Sequence, residues 1–223
     1  MATGTYFMWL AGDDYLDPEY VGACMKELEG DARVVLASGK AVYYADGKSA
    51  VVAPAIAVTQ DSRFGRILSY AWNVGDNGAF YGVYRRGLVA HLKLVPMLGG
   101  DWLWMLEVAA IGSIVACSHV ATHRHDSWAA TTPGAYYRRV SATLGAGPVA
   151  SAFPRTAIAV SMAAAIAWRS KAFAVLGAPK RTALAVLVGG TLWFRLTALM
   201  LKGALSSLRT LGRNVRAHAG DRK

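Results

Sequence analysis

The sequence predicts an α/β fold, a mixed sheet with helices, followed by a basic and apolar helical tail. Three observations carry this. Tyr6-Phe7-Met8-Trp9-Leu10 is an unbroken apolar run that stops shortly before two adjacent carboxylates, Asp13 and Asp14. Segments of strand and helix character then alternate as far as residue 145. Beyond Gly145-Ala146-Gly147-Pro148 the chain turns apolar and strongly basic. The expected units are therefore 1–145, an α/β domain, and 146–223, a helical tail.

Residues 6–10 lack alternation, so they read as a strand buried on both faces, as in a parallel sheet. Ligands of open parallel sheets gather beyond the carboxyl ends of the strands, where Asp13 and Asp14 would sit. Two neighbouring carboxylates repel each other and are costly to bury unpaired. A divalent cation removes that cost, and Mg²⁺ held by one or two carboxylates commonly carries substrate phosphates as well. A solvated turn that caps the next helix is the plainer alternative.

Asp17 suits an N-cap, Pro18 the first helical position and Glu19 the positive helix end. Tyr20 or Val21, Cys24, Met25 and Leu28 follow at helical spacing, and Gly30 closes the helix. Arg33 to Ser38 reads as a strand. Lys40 to Tyr44, the turn Asp46-Gly47 and Ala50 to Val52 read as a hairpin. Residues 54–78 are mixed, with a helix opening near Arg63. Ala79 to Tyr84 reads as a short strand ending in Arg85-Arg86. Trp102 to Gly112 is a helix, Ser113 to Val120 a strand, and His119 to Trp128 a polar, His-rich loop. A single parallel strand at the start, with no βαβ unit before it, cannot alone make a doubly wound sheet.

The charge is uneven. Of 24 Lys and Arg, 12 fall in residues 1–151 beside 13 Asp and Glu, a net of −1. The other 12 fall in 152–223 beside Asp221 alone, a net of +11. Such asymmetry points to an acidic partner, nucleic acid or an anionic membrane surface. Residues 182–201 are long enough to span a bilayer but contain Arg195, which costs about 2.5–3.5 kcal/mol at a helix centre. Arg195, Lys202, Arg209 and Arg216 recur every seven residues and form a basic stripe opposite an apolar face. That favours a helix lying in a membrane surface over a pair of helices packed on the domain. Nucleic acid is disfavoured, because the tail's Trp and Phe residues lie within apolar runs rather than between basic residues. Cys24 and Cys117 have no disulfide or metal spacing and read as two buried thiols of a reducing compartment. The amino terminus lacks a basic n-region and signal peptide.

Four clusters could meet in one site: Asp13-Asp14; Phe80-Tyr81-Gly82-Val83-Tyr84-Arg85-Arg86; Gly99-Gly100-Asp101-Trp102; and His123-Arg124-His125-Asp126-Ser127-Trp128. In this order they resemble the second half of a family 2 glycosyltransferase of GT-A (Rossmann-like) fold, over about residues 3–140. The resemblance implies a partial GT-A sheet, with the amino-terminal βαβ units that form the nucleoside pocket not represented. It also implies roles. Asp13 and Asp14 would match the DxD-type motif, binding the ribose side of a nucleotide-sugar donor and a Mg²⁺ or Mn²⁺ ion, with Asp14 the direct ligand. His123 or His125 would assist the metal, and Arg124 the diphosphate. Asp101 would be the base that deprotonates a hydroxyl acceptor in an inverting transfer; plain helix capping is its alternative. Gly82, Arg85, Arg86 and Trp102 would contact the acceptor or the phosphates. A lipid-linked or envelope acceptor would place the protein at the cytoplasmic face of the cell membrane, peripheral or with one spanning segment. Two rivals stand beside this expectation: a non-catalytic membrane-associated remnant, and a phosphohydrolase using Asp13, Asp14, Asp101 and the two histidines.

Overall fold

The computed structural model describes residues 3–44, 50–125 and 133–198. Asp46-Gly47, Asp126 to Trp128, Lys202, Arg209 and Arg216 lie outside them. The described chain is mixed α/β. Strands β1 (Tyr6–Met8), β2 (Tyr15–Leu16), β3 (Val34–Tyr44), β4 (Val51–Ala53), β5 (Val83–Arg85) and β6 (Ser113–His125) form one sheet in the order β1-β5-β3-β6-β2, with β4 paired to β3. The β3–β6 pair is parallel and the other pairs are antiparallel.

The first strand departs from expectation. β1 stops at Met8 and stands at the end of the strand order, antiparallel to β5. Its three residues are only half-buried, and Trp9 and Leu10 are exposed. An edge position leaves less of each face covered, so an apolar run here does not signal a central parallel strand. The core of the sheet is instead β3 and β6. Arg33–Ser38 and Lys40–Tyr44, expected as separate strands, are one strand irregular between Gly39 and Lys40. Gly39 makes that passage: a Cβ there would lie 2.5 Å from the Val120 carbonyl oxygen and 2.6 Å from the Tyr20 ring. The expected hairpin partner is present, with Ala41 opposite Ala53 and Tyr43 opposite Val51. Ala79–Tyr81, expected as strand, is part of a 3-10 turn over Gly78–Tyr81. The residues expected as a His-rich loop continue β6 as far as His125. Pairing with β3 on one side and β2 on the other holds these polar residues in the ladder.

Helix α1 (Tyr20–Gly30) covers one face of the sheet, where Tyr20, Cys24 and Leu28 pack with Val83, Cys117 and Val120. Both cysteines are buried free thiols, and burial pushes each up from the usual range. Asp17 does not cap α1 through its side chain; the N-cap residue is Glu19. On the other face lie α2 (Arg63–Asn73) and α4 (Gly100–Ile111), with α3 (Arg86–Val89) a single turn between them in sequence. Ser62 caps α2 by accepting from the Gly65 amide at 3.0 Å, and Arg66 donates to the Ala109 carbonyl at 2.8 Å, joining α2 to α4.

The tail forms α5 (Pro133–Thr143), α6 (Pro148–Ala152), α7 (Pro154–Ala164), which continues as a π turn over Ala165–Arg169, and α8 over residues 178–198. Ile158, Met162, Ile166, Leu184, Val188 and Leu192 are buried in the same cluster as Trp104 and Met105 of α4. Tail and sheet therefore share one core. The expected outward basic stripe fails at its first member. Arg195 donates to the Val74 carbonyl, and to the Asn73 carbonyl at 3.1 Å. The carboxyl end of α2 has carbonyls without helical donors and a partial negative charge, and a guanidinium satisfies both. Among the described residues no helix is long and apolar enough to cross a membrane. Of the 182–201 stretch read as a spanning alternative, residues 182–198 belong to α8 and 199–201 lie outside the described residues.

Candidate functional site

Asp14 enters the site through a tight turn, its amide donating to the Ala11 carbonyl at 3.2 Å. Its carboxylate is almost wholly enclosed, at 2 % side-chain exposure, and accepts from Arg124 Nε at 2.9 Å. Asp13 beside it is exposed. Arg124 projects from β6, opposite Tyr43 of β3 in the parallel ladder. Its guanidinium lies over the Tyr81 ring at 3.9 Å and near the Tyr43 ring at 5.6 Å. Nη1 donates to Asn77 Oδ1 at 2.8 Å. Burial works against the charge on Arg124, but Tyr81, Tyr43 and Asp14 outweigh it and hold the group protonated.

Asn77 also lies beside Asp101 and favours its ionised form. Asp101 stands in the first turn of α4, after Gly99, whose φ of +76° gives the chain a left-handed step that favours glycine. Burial raises the Asp101 carboxyl above the usual range; the Trp102 amide, the Asn77 side chain and the nearby Arg124 oppose this. The Trp102 amide donates to Asp101 Oδ1 at 3.0 Å. Neighbouring Asp76 fixes the turn: its Oδ1 accepts from the Tyr43 hydroxyl at 3.0 Å and the Gly78 amide at 2.5 Å. Burial, then Asp76, raise the Tyr43 phenol. Hydrogen bonds thus join Asp14, Arg124 and Asn77, with the Asp101 carboxyl beside them.

His123 is not part of it. Successive residues of a strand point to opposite faces, so Arg124 and its neighbours His123 and His125 diverge. His123 Nε2 lies 2.7 Å from Asp17 Oδ1, and Nδ1 lies 2.9 Å from the Tyr44 hydroxyl. The Tyr15 ring stacks on the imidazole at 4.5 Å. Asp17 Oδ2 also accepts from the Ala121 amide at 2.7 Å. The His123 bond, first, and the Ala121 amide hold the Asp17 carboxyl below the usual range. His125 is exposed at the end of β6.

Arg85 and Arg86 are also elsewhere. Antiparallel register sets Arg85 opposite Tyr6 and Val83 opposite Met8, so Arg85 lies at the end of β1 remote from Asp13-Asp14. Arg85 donates to the Leu28 carbonyl and, at 3.3 Å, to the Val34 carbonyl; Arg86 donates to the Gly4 carbonyl. Gly82 serves packing, since a Cβ there would come within 2.6 Å of the Ala37 carbonyl oxygen. Trp102 packs half-buried against the core.

No family model matches the chain, and neither does any curated protein or solved structure.

The divalent-cation expectation can be set against the donor set. Among the described residues no group of three His, Cys, Asp or Glu could hold a metal ion. Asp14 is engaged by Arg124, and His123 by Asp17 and Tyr44 on the opposite face. These side chains form no protein-built metal centre of three ligands among the described residues. Asn77 and Asp76, absent from the sequence expectation, are the additions that matter. Their signal was the turn run Gly75-Asp76-Asn77-Gly78.

Proposed function

We propose that this chain carries the acceptor side and part of the diphosphate site of a glycosyltransferase acting on a nucleotide-sugar donor and a hydroxyl acceptor. The observation that carries this is the hydrogen-bonded run Asp14, Arg124, Asn77 with the Asp101 carboxyl beside it, which brings together three of the four sequence clusters. A guanidinium has five N–H donors, more than the two bonds that Arg124 makes to Asp14 and Asn77. Arg124 is therefore suited to a diphosphate as well, where charge-assisted bonds to phosphate are strong. Asp101, with its carboxyl raised by burial, is a better proton acceptor than an ordinary aspartate. In the reaction the acceptor oxygen forms a bond to the anomeric carbon while the bond from that carbon to the diphosphate oxygen breaks. The acceptor proton passes to Asp101, and the diphosphate leaves with the electron pair, its charge met by Arg124.

The test is calorimetric titration of UDP and UDP-sugars, with Mn²⁺ and with chelator, followed by transfer assays. Asp101→Asn is expected to keep donor binding and to lose about 10²–10⁴-fold in turnover. Mild and equal effects of Asp101→Asn and Arg124→Gln on turnover would sink the assignment. Donor hydrolysis that needs no acceptor would convert it to a phosphohydrolase.

A further inference from the structure

Helix α8 buries one side and exposes an unusual other. Leu184, Ala185, Val188, Leu192 and Leu196 are in the core. Between them Ala183, Val186, Leu187, Gly190, Trp193 and Phe194 face outward. They recur at spacings of three and four, which is one stripe of a helix. Val186 is 67 % exposed, Phe194 58 % and Trp193 50 %. No charged residue interrupts the stripe from 182 to 194. Trp72 of α2, itself exposed, extends it by stacking on Phe194 at 6.4 Å. A surface helix ordinarily turns a polar face to water, and a contiguous apolar patch marks an interaction surface.

Charge selects the partner. Residues 152–223 hold 12 Lys and Arg beside one acidic residue, Asp221. Exposed Lys180 opens α8, and Lys202 follows it in sequence. Apolar and Trp side chains bordered by cations suit the headgroup region of an anionic bilayer, where each nearby Lys or Arg contributes about 1 kcal/mol. The opposite side of α8 is committed to protein, with Arg181 bonded to the Ile166 and Ser170 carbonyls and Arg195 to α2. The helix can therefore meet lipid on one side only.

We propose that the outward face of α8, with Trp72, docks on the surface of an anionic lipid bilayer. The proposal does not depend on glycosyl transfer. It is tested by sedimenting the full chain with vesicles of phosphatidylcholine alone and of phosphatidylcholine mixed with phosphatidylglycerol. Salt-sensitive binding to the mixed vesicles is expected, with at least tenfold weaker binding for Leu187→Asp of unchanged circular dichroism. If Leu187→Asp does not fold, Trp193→Phe replaces it: it should still bind, and brominated lipid should quench less of its tryptophan emission than in the parent. Three results would overturn the proposal. One is no binding to either vesicle. Another is binding that Leu187→Asp leaves unchanged, or quenching by brominated lipid that is the same in Trp193→Phe as in the parent, which would assign binding to the basic residues beyond 198. The third is a dimer by light scattering, broken by Leu187→Asp, with no vesicle binding.

Discussion

Arg124 and His123 are neighbours on β6, each paired with an aspartate, and they lead different lives. The Arg124–Asp14 pair is enclosed, at 14 % and 2 % side-chain exposure, and sits between two tyrosine rings. The His123–Asp17 pair is more open, at 18 % and 32 %, with the imidazole stacked on exposed Tyr15. One residue's displacement along a strand changes the face, the dielectric and the partner. Adjacent polar residues in a sequence are therefore not evidence of a shared site until their secondary structure is known.

The sharpest way to break this contrast is to remove one cation at a time. Arg124→Ala leaves the Asp14 carboxylate enclosed without its partner, and a loss of about 3–5 kcal/mol in urea unfolding is expected. Arg124→Lys keeps the charge but cannot reproduce the fork to both Asp14 and Asn77. Loss of one charged hydrogen bond should cost about 1.5–3 kcal/mol by the same measurement. His123→Ala, on the open face, is expected to cost under about 1 kcal/mol. A cost equal to that of Arg124→Ala would erase the distinction between the faces.

The smallest effect is one of pH. The Asp17 carboxyl lies below its ordinary value of 3.8 in the fold. It binds protons less readily folded than unfolded, so its contribution is present above about pH 4. That contribution is lost as the pH falls from there through the depressed folded value. Comparing thermal unfolding of the parent and Asp17→Asn at pH 7 and pH 3 should show the difference between them shrinking in acid. A difference that persists unchanged would remove the Asp17–His123 bond as its cause.

The α/β alternation, the hairpin partner of β3, the helix after Gly99-Gly100 and the buried thiols were legible because each rests on local pattern. Asp14 and Arg124, from two of the motif clusters, also meet, though no local spacing in the sequence measures that contact. The strand character of His123-Arg124-His125 was not legible. Composition there resembles a loop, and pairing with Val42 to Tyr44 on one side and Tyr15 on the other makes it a strand. Asp17 had the local signature of a cap, yet its carboxylate is drawn to Ala121 and His123, more than a hundred residues away. Arg195 belonged to a seven-residue periodicity, but the open carbonyls at the end of α2 set its direction.

Arg181 and Arg195 hold α8 to its neighbours through backbone carbonyls. They are fourteen residues apart, about four helical turns, and so emerge on nearly the same side. A rod pinned at two points along one edge can neither roll about its axis nor slide along it. The direction in which Val186, Trp193 and Phe194 point is thus fixed by two arginines bonded to the backbone of neighbouring segments.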